Sequence, residues 1–156
     1  MPKIDIAQAV VRTKGVYPKP HTVVTDGREK AALGNVAGLT QFGVNLTRLK
    51  PGAASALRHW HENEDEFVYV LEGEMVLIED GGERLLKPGD CAGFKAGVAN
   101  GHQLVNKSQR DAVYLEIGTR AATERAHYPD VDLVMERDAH GMRFLHRSGE
   151  PYPQES

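Results

Sequence analysis

Gly52-Ala-Ala-Ser-Ala-Leu-Arg-His-Trp-His-Glu-Asn-Glu-Asp-Glu-Phe-Val-Tyr-Val-Leu-Glu-Gly73 is the stretch on which the reading of this chain turns. His59 and His61 stand two apart. In an extended strand residues i and i+2 project from one face, so both imidazoles can address a single point while Trp60 turns away. After the polar break at Glu62, Asn63, Glu64 and Asp65 the chain resumes as Glu66-Phe67-Val68-Tyr69-Val70-Leu71, a β-branched and aromatic run that predicts the return strand of a hairpin. Parity puts Glu66 on the face of Val68 and Val70. If those valines enter a core, a carboxylate enters with them, and a buried carboxylate is unfavourable unless it is paired or holds a cation.

The flanking sequence repeats the strand pattern. Phe42, Val44 and Leu46 alternate with Gly43, Asn45 and Thr47, which predicts a strand with its apolar row buried. Ser55 to His61 reads as the next strand. Met75 to Ile78 is an apolar strand closed by Asp80-Gly81-Gly82, and Pro88-Gly89-Asp90 makes another turn. Cys91, just beyond it, reads as a small buried side chain. In residues 112–120 the row Val113, Leu115, Ile117 is the expected core face, with Tyr114 and Glu116 outside. Residues 120–125 suggest a helical turn, residues 131–135 a strand or an arm, and residues 142–146 a last short strand. Short strands with glycine or proline turns every ~8–12 residues predict an all-β sandwich or barrel.

The motifs also carry a resemblance. His59-x-His61-x(4)-Glu66-x(6)-Gly73 resembles the first motif of the cupin superfamily, and Gly52 resembles its leading glycine, one residue further out than usual. Ala96-Gly97 and His102-x(3)-Asn106 resemble the second motif. Lys95 stands where proline is usual, and two extra residues leave Asn100 at the customary histidine position. His102 is preferred as the ligand, because imidazole binds a borderline metal better than an amide does. Asn106 is read as structural, its amide satisfying backbone groups.

The resemblance implies a double-stranded β-helix, or jelly-roll barrel, in which His59, His61, Glu66 and His102 bind one divalent metal ion. It covers about residues 40–120, so the expected organisation is a barrel over 39–120, an N-terminal extension over 1–38 and a C-terminal arm and tail over 121–156. Phe67, Tyr69 and Leu71 face away from Glu66, with Trp60 nearby. That outer row needs a cover, either terminal segments or a second subunit, and a homodimer is expected.

Length and composition bound the alternatives. The 156 residues make one domain, and 19 basic against 22 acidic side chains give a net charge of −3. No basic cluster points to nucleic acid, and no apolar run is long enough to span a bilayer. The single cysteine forms no internal disulfide and the N-terminus lacks a signal-peptide pattern, so a cytoplasmic location is expected.

Three imidazoles and a carboxylate suit Zn, Fe(II), Mn or Ni, and open coordination positions would let the metal polarise a carbonyl or bind dioxygen. The resemblance implies a sugar-phosphate isomerase first. An Fe(II) dioxygenase and a non-catalytic binding module for a small ligand are the alternatives. An anionic substrate needs cations near the site, and Arg48, Arg58 and Lys95 are the candidates. Arg48 continues an apolar row, which leaves it either a solvent-facing strand end or a cation at the barrel mouth.

Overall fold

Between residues 42 and 128 the chain crosses repeatedly from one of two facing walls to the other, and those crossings build the site. The computed structural model describes residues 2–154. Its strands are β1 (Val11–Arg12), β2 (Arg28–Ala32), β3 (Phe42–Leu49), β4 (Trp60–His61), β5 (Glu66–Glu72), β6 (Met75–Glu79) and β7 (Gly82–Leu86). There follow β8 (Cys91–Phe94), β9 (Gln103–Val105), β10 (Ala112–Thr119), β11 (Glu124–Tyr128), β12 (Leu133–Asp138) and β13 (Gly141–Leu145). Among the described residues helix is limited to a 3-10 turn at Ile6–Gln8 and one α-turn at Leu33–Val36. The fold is all-β, a jelly roll.

One wall runs β1-β2-β3-β10-β5-β8, every neighbour antiparallel. The other joins β13-β12-β11-β4 to β9-β6-β7 through isolated bridges His59↔His102 and Ala54↔Val105. The main core lies between them: Leu49, Val68, Val70, Ala112 and Tyr114 from the first wall meet Met75, Leu77, Leu86 and Leu104 from the second. A second cluster of Ala126, Tyr128, Leu133 and Met135 packs against Tyr17, Leu57, Phe144 and Tyr152. The N-terminal residues thus reach under the C-terminal strands.

Several expectations give way here. Residues 62–65 do not close a hairpin, since β4 pairs with β11 and β5 with β10 and β8. A hairpin would set His61 and Glu66 side by side; the crossover sets them on opposite walls. Only Trp60–His61 of the expected 55–61 strand is regular. Upstream, side chains take the backbone groups that a ladder would use: Arg28 donates to the Ser55 carbonyl, Gln103 to Ala56, and the Leu57 amide donates to the Tyr17 hydroxyl. Residues 120–123 make a bend rather than a helical turn, and Glu64 accepts the Ala121 amide there.

Parity on the first wall is inverted for two strands. Thr47, Leu49 and Tyr114 are fully buried, and Glu116 lines a cavity with Tyr114. Val113, beside an irregularity in the ladder, is buried as expected, but the rest of the apolar rows face outward, in register: Leu46 beside Leu115 beside Tyr69, and Val44 beside Ile117 beside Phe67. Polar residues lie inside because this end of the barrel is a hollow, where hydroxyls and charges face space instead of packed carbon. Cys91, opposite Tyr69 on the outer face, is exposed.

Candidate metal centre

His59 and His61 enter the hollow from one wall and Glu66 from the other. One ligand-type atom from each lies within 4.8 Å of the other two. His61 Nε2 stands 3.3 Å from Glu66 Oε1, and His59 Nε2 3.6 Å from Glu66 Oε2. His102 completes the set, its Nε2 donating to Glu66 Oε2 at 2.5 Å. The bridge between His59 and His102, with amide-to-carbonyl bonds of 3.1 and 2.9 Å in the two directions, fixes those two backbones together.

Each imidazole is oriented by what lies behind it. His59 Nδ1 donates to the Leu57 carbonyl at 2.7 Å, which fixes the tautomer and leaves Nε2 with its lone pair toward Glu66. The His102 ring stacks on Phe94, centroids 3.6 Å apart. Trp60 points away and stacks on His127. Behind His61 lies Glu124, whose Oε2 is 3.8 Å from His61 Nδ1. Its other oxygen accepts the amides of Glu62, Asn63 and Arg125. Nothing in sequence spacing flags Glu124, because the residues it meets at the site, His61, Glu62 and Asn63, lie some 60 positions earlier.

Burial alone would raise the Glu66 carboxyl, but the hydrogen bond from His102 and the His59 and His61 rings beside it overcome that and hold the group well below the ordinary carboxylate range. Burial lowers His61, yet Glu66, Glu124 and Glu64 outweigh it and the net direction is upward. His102 goes down, since burial there exceeds the help from Glu66.

These residues fit a divalent cation. Both ring nitrogens of His61, Nδ1 of His102 and Oε2 of Glu124 are buried without a hydrogen-bond partner, which is unfavourable unless something binds there. Three nitrogens and a carboxylate oxygen are the donor set that borderline metals take. To hold a cation through Nε2, His102 would carry its hydrogen on Nδ1 instead, the tautomer that keeps a ligating imidazole neutral.

Asn100, at the customary histidine position, is turned elsewhere: it accepts from the Asp80 amide and donates to Glu79. Asn106 is wholly buried and donates to the carbonyls of Leu49 and Arg110, a structural clamp. Of the three cation candidates, Arg48 lies on the outer face 3.3 Å from Asp111, so it is the solvent-facing strand end. Arg58 is held by Asp80, Asp130 and the Gly101 carbonyl. Neither is among the residues lining the cavity over the histidines, while Lys95 lines a smaller hollow beside His61 and His102.

A model of the Cupin domain matches residues 45–118. The crystal structure of a protein from Silicibacter pomeroyi, named as a sugar phosphate isomerase from a cupin superfamily, is 48% identical with a TM-score of 0.94, covering 97% of each chain. A candidate sugar phosphate isomerase from Acidithiobacillus ferrooxidans is 29% identical with a TM-score of 0.74 over 82% of this chain and 81% of that one. A polyketide cyclase from Streptomyces resistomycificus shares the fold alone, at 19% identity and a TM-score of 0.62 over 76% of this chain and 79% of its own. A search of curated proteins finds no match. With the jelly roll, the two histidine motifs and a near full-length relative in agreement, the chain belongs to the cupin superfamily.

Proposed function

We propose that this cupin is a metal-dependent isomerase of a small phosphorylated sugar, with His59, His61, Glu66 and His102 as the metal ligands. One observation carries the reading: all four side chains line a single cavity of about 250 Å³. Ligands that face a hollow leave room for a substrate beside the metal, as a catalytic site requires. The likeness to the Silicibacter pomeroyi protein supports sugar phosphates as the substrate class. When bound, the metal supplies a Lewis acid for the sugar's carbonyl oxygen. The chain's own contribution is orientation: Leu57 and Phe94 hold two of the imidazoles, and the core side chains close the hollow from below. Glu116, on the cavity wall, is the carboxylate positioned to carry a proton between adjacent carbons.

The test is aldose–ketose interconversion across a panel of pentose and hexose phosphates, with metal content measured on protein purified without added metal. Turnover lost to a chelator and restored by one divalent metal is expected. Oxygen uptake with iron, or tight binding without turnover, would replace this reading by a dioxygenase or a binding module.

The outer face of the first wall supports a homodimer. Phe42, Phe67, Tyr69 and Leu71 are each about 40% exposed, and Leu115 and Ile117 lie between their strands in register. A continuous apolar sheet face of this kind is self-complementary about a two-fold axis. Tyr69→Glu should halve the mass seen by sedimentation velocity; an unchanged mass would contradict the dimer. No helix among the described residues is long and apolar enough to cross a membrane. The exposed Cys91 thiol suits a reducing compartment, and we place the protein in the cytoplasm.

A further inference from the structure

The cavity over the histidines has a second wall that the motifs do not reach. Strands β1 and β2 with the segment between them bring Arg12, Lys14, Arg28 and Lys30 to its lining, together with Tyr17. Register explains two of the four. Arg28 and Lys30 lie opposite Leu49 and Thr47 of β3, residues that point inward, so both basic side chains share the inner face.

The local charge balance is one-sided. Against four cations the lining holds two carboxylates, Glu66 and Glu116. Glu66 is engaged by three histidines. Glu116 sits 2.8 Å from Lys30, an ion pair whose geometry is out of line for a hydrogen bond. Among the described residues Arg12, Lys14 and Arg28 have no carboxylate within salt-bridge distance. Arg28 instead donates to the Ser55 carbonyl, which holds its guanidinium at the wall. A chain with net charge −3 thus gathers uncompensated positive charge at one hollow, beside a site that would itself hold a cation. Such a wall focuses anions toward it.

We propose that Arg12, Lys14 and Arg28 form the subsite for the phosphate group of the substrate, with Lys30 held by Glu116 at its edge. A phosphate monoester near neutral pH carries close to two negative charges and three acceptor oxygens, matched by two guanidinium forks and an ammonium. A sugar carboxylate offers one charge and two oxygens and would leave part of the cluster uncompensated. With the phosphate anchored on β1 and β2, the sugar's oxygens extend toward His59, His61, Glu66 and His102 across the same hollow. This subsite rests on the isomerase reading for its substrate but not for its existence.

Equilibrium binding of inorganic phosphate to the metal-loaded full chain, by titration calorimetry, tests it. Arg12→Gln/Lys14→Gln and Arg28→Gln should each weaken phosphate at least about tenfold, as expected when charge-assisted hydrogen bonds are lost. Arg48→Gln, on the outer face, should leave it unchanged, and metal content should be equal in all. The double variant removes exposed side chains only, so it remains informative even if Arg28→Gln perturbs the 55–57 segment. Phosphate binding that is absent in the wild type, unaltered in the variants, or weaker than that of glucuronate overturns the subsite. Phosphate held by the cluster with no sugar phosphate interconverted leaves the subsite and sinks the isomerase. Interconversion with an unchanged KM in Arg12→Gln/Lys14→Gln does the reverse.

Discussion

His61→Ala should lose the metal. Binding of a divalent ion by four protein ligands is worth roughly 10–16 kcal/mol in structural zinc sites, or about 3 kcal/mol per ligand, so removing one weakens affinity by about a hundredfold or more. His61 is a sensitive choice because it faces Glu66 across the two walls and has Glu124 behind it. Elemental analysis after dialysis against a weak chelator would read the loss. His127→Ala is the matched control, since that ring stacks on the outward side of Trp60 and should retain full metal. Acid should mimic the loss. Imidazoles protonate near pH 6.5, so occupancy falls from pH 8 to pH 5. Glu66, held well below the ordinary carboxylate range, remains ionised throughout, which leaves the histidines to carry the effect. A flat occupancy profile would contradict histidine ligation.

Gly73→Ala should unfold the barrel at a much lower temperature. Gly73 carries the chain from β5 on one wall to β6 on the other with φ of +67°, and a Cβ there would lie 2.4 Å from the Asp111 carbonyl oxygen and 3.0 Å from Ala112 Cα. Left-handed backbone costs an alanine about 1–2 kcal/mol, and forcing atoms into packed backbone adds about 1–3 kcal/mol. The sum, about 2–5 kcal/mol, lowers Tm by roughly 5–15 °C in a chain of this size. Gly52→Ala separates the two terms. Gly52 has φ of +84° but nothing within 4 Å of the added carbon, so only the backbone cost of about 1–2 kcal/mol applies. Equal melting temperatures for the two variants would show that Gly73 does not abut the Asp111 carbonyl as described.

The convergence of the four candidate ligands was legible because its signals are local. A two-residue spacing fixes the faces of His59 and His61, parity joins Glu66 to Val68 and Val70, and the spacing to Asn106 selects His102 over Asn100. The rest of the cavity was not legible, and the reasons are physical. Apolar alternation in β3 and β10 identifies a face but not which side is inside, and here the apolar side is outward while Tyr114 and Glu116 turn into the hollow. Arg28 and Lys30 reach the site only through pairing of β2 with β3, a contact between segments separated by a loop and a helical turn. Arg12, Lys14 and Tyr17 lie further still from any motif. Arg48 and Arg58 looked suitable because they flank the motifs, but one faces outward and the other is occupied by two aspartates.

Anomalous diffraction from crystals of the metal-loaded protein tests the central claim most directly. The account predicts one ion in the hollow within coordination distance, about 2.0–2.2 Å, of nitrogens from His59, His61 and His102 and an oxygen of Glu66. No anomalous peak between the two walls, or an ion held instead by His61, Glu64 and Glu124, would contradict it.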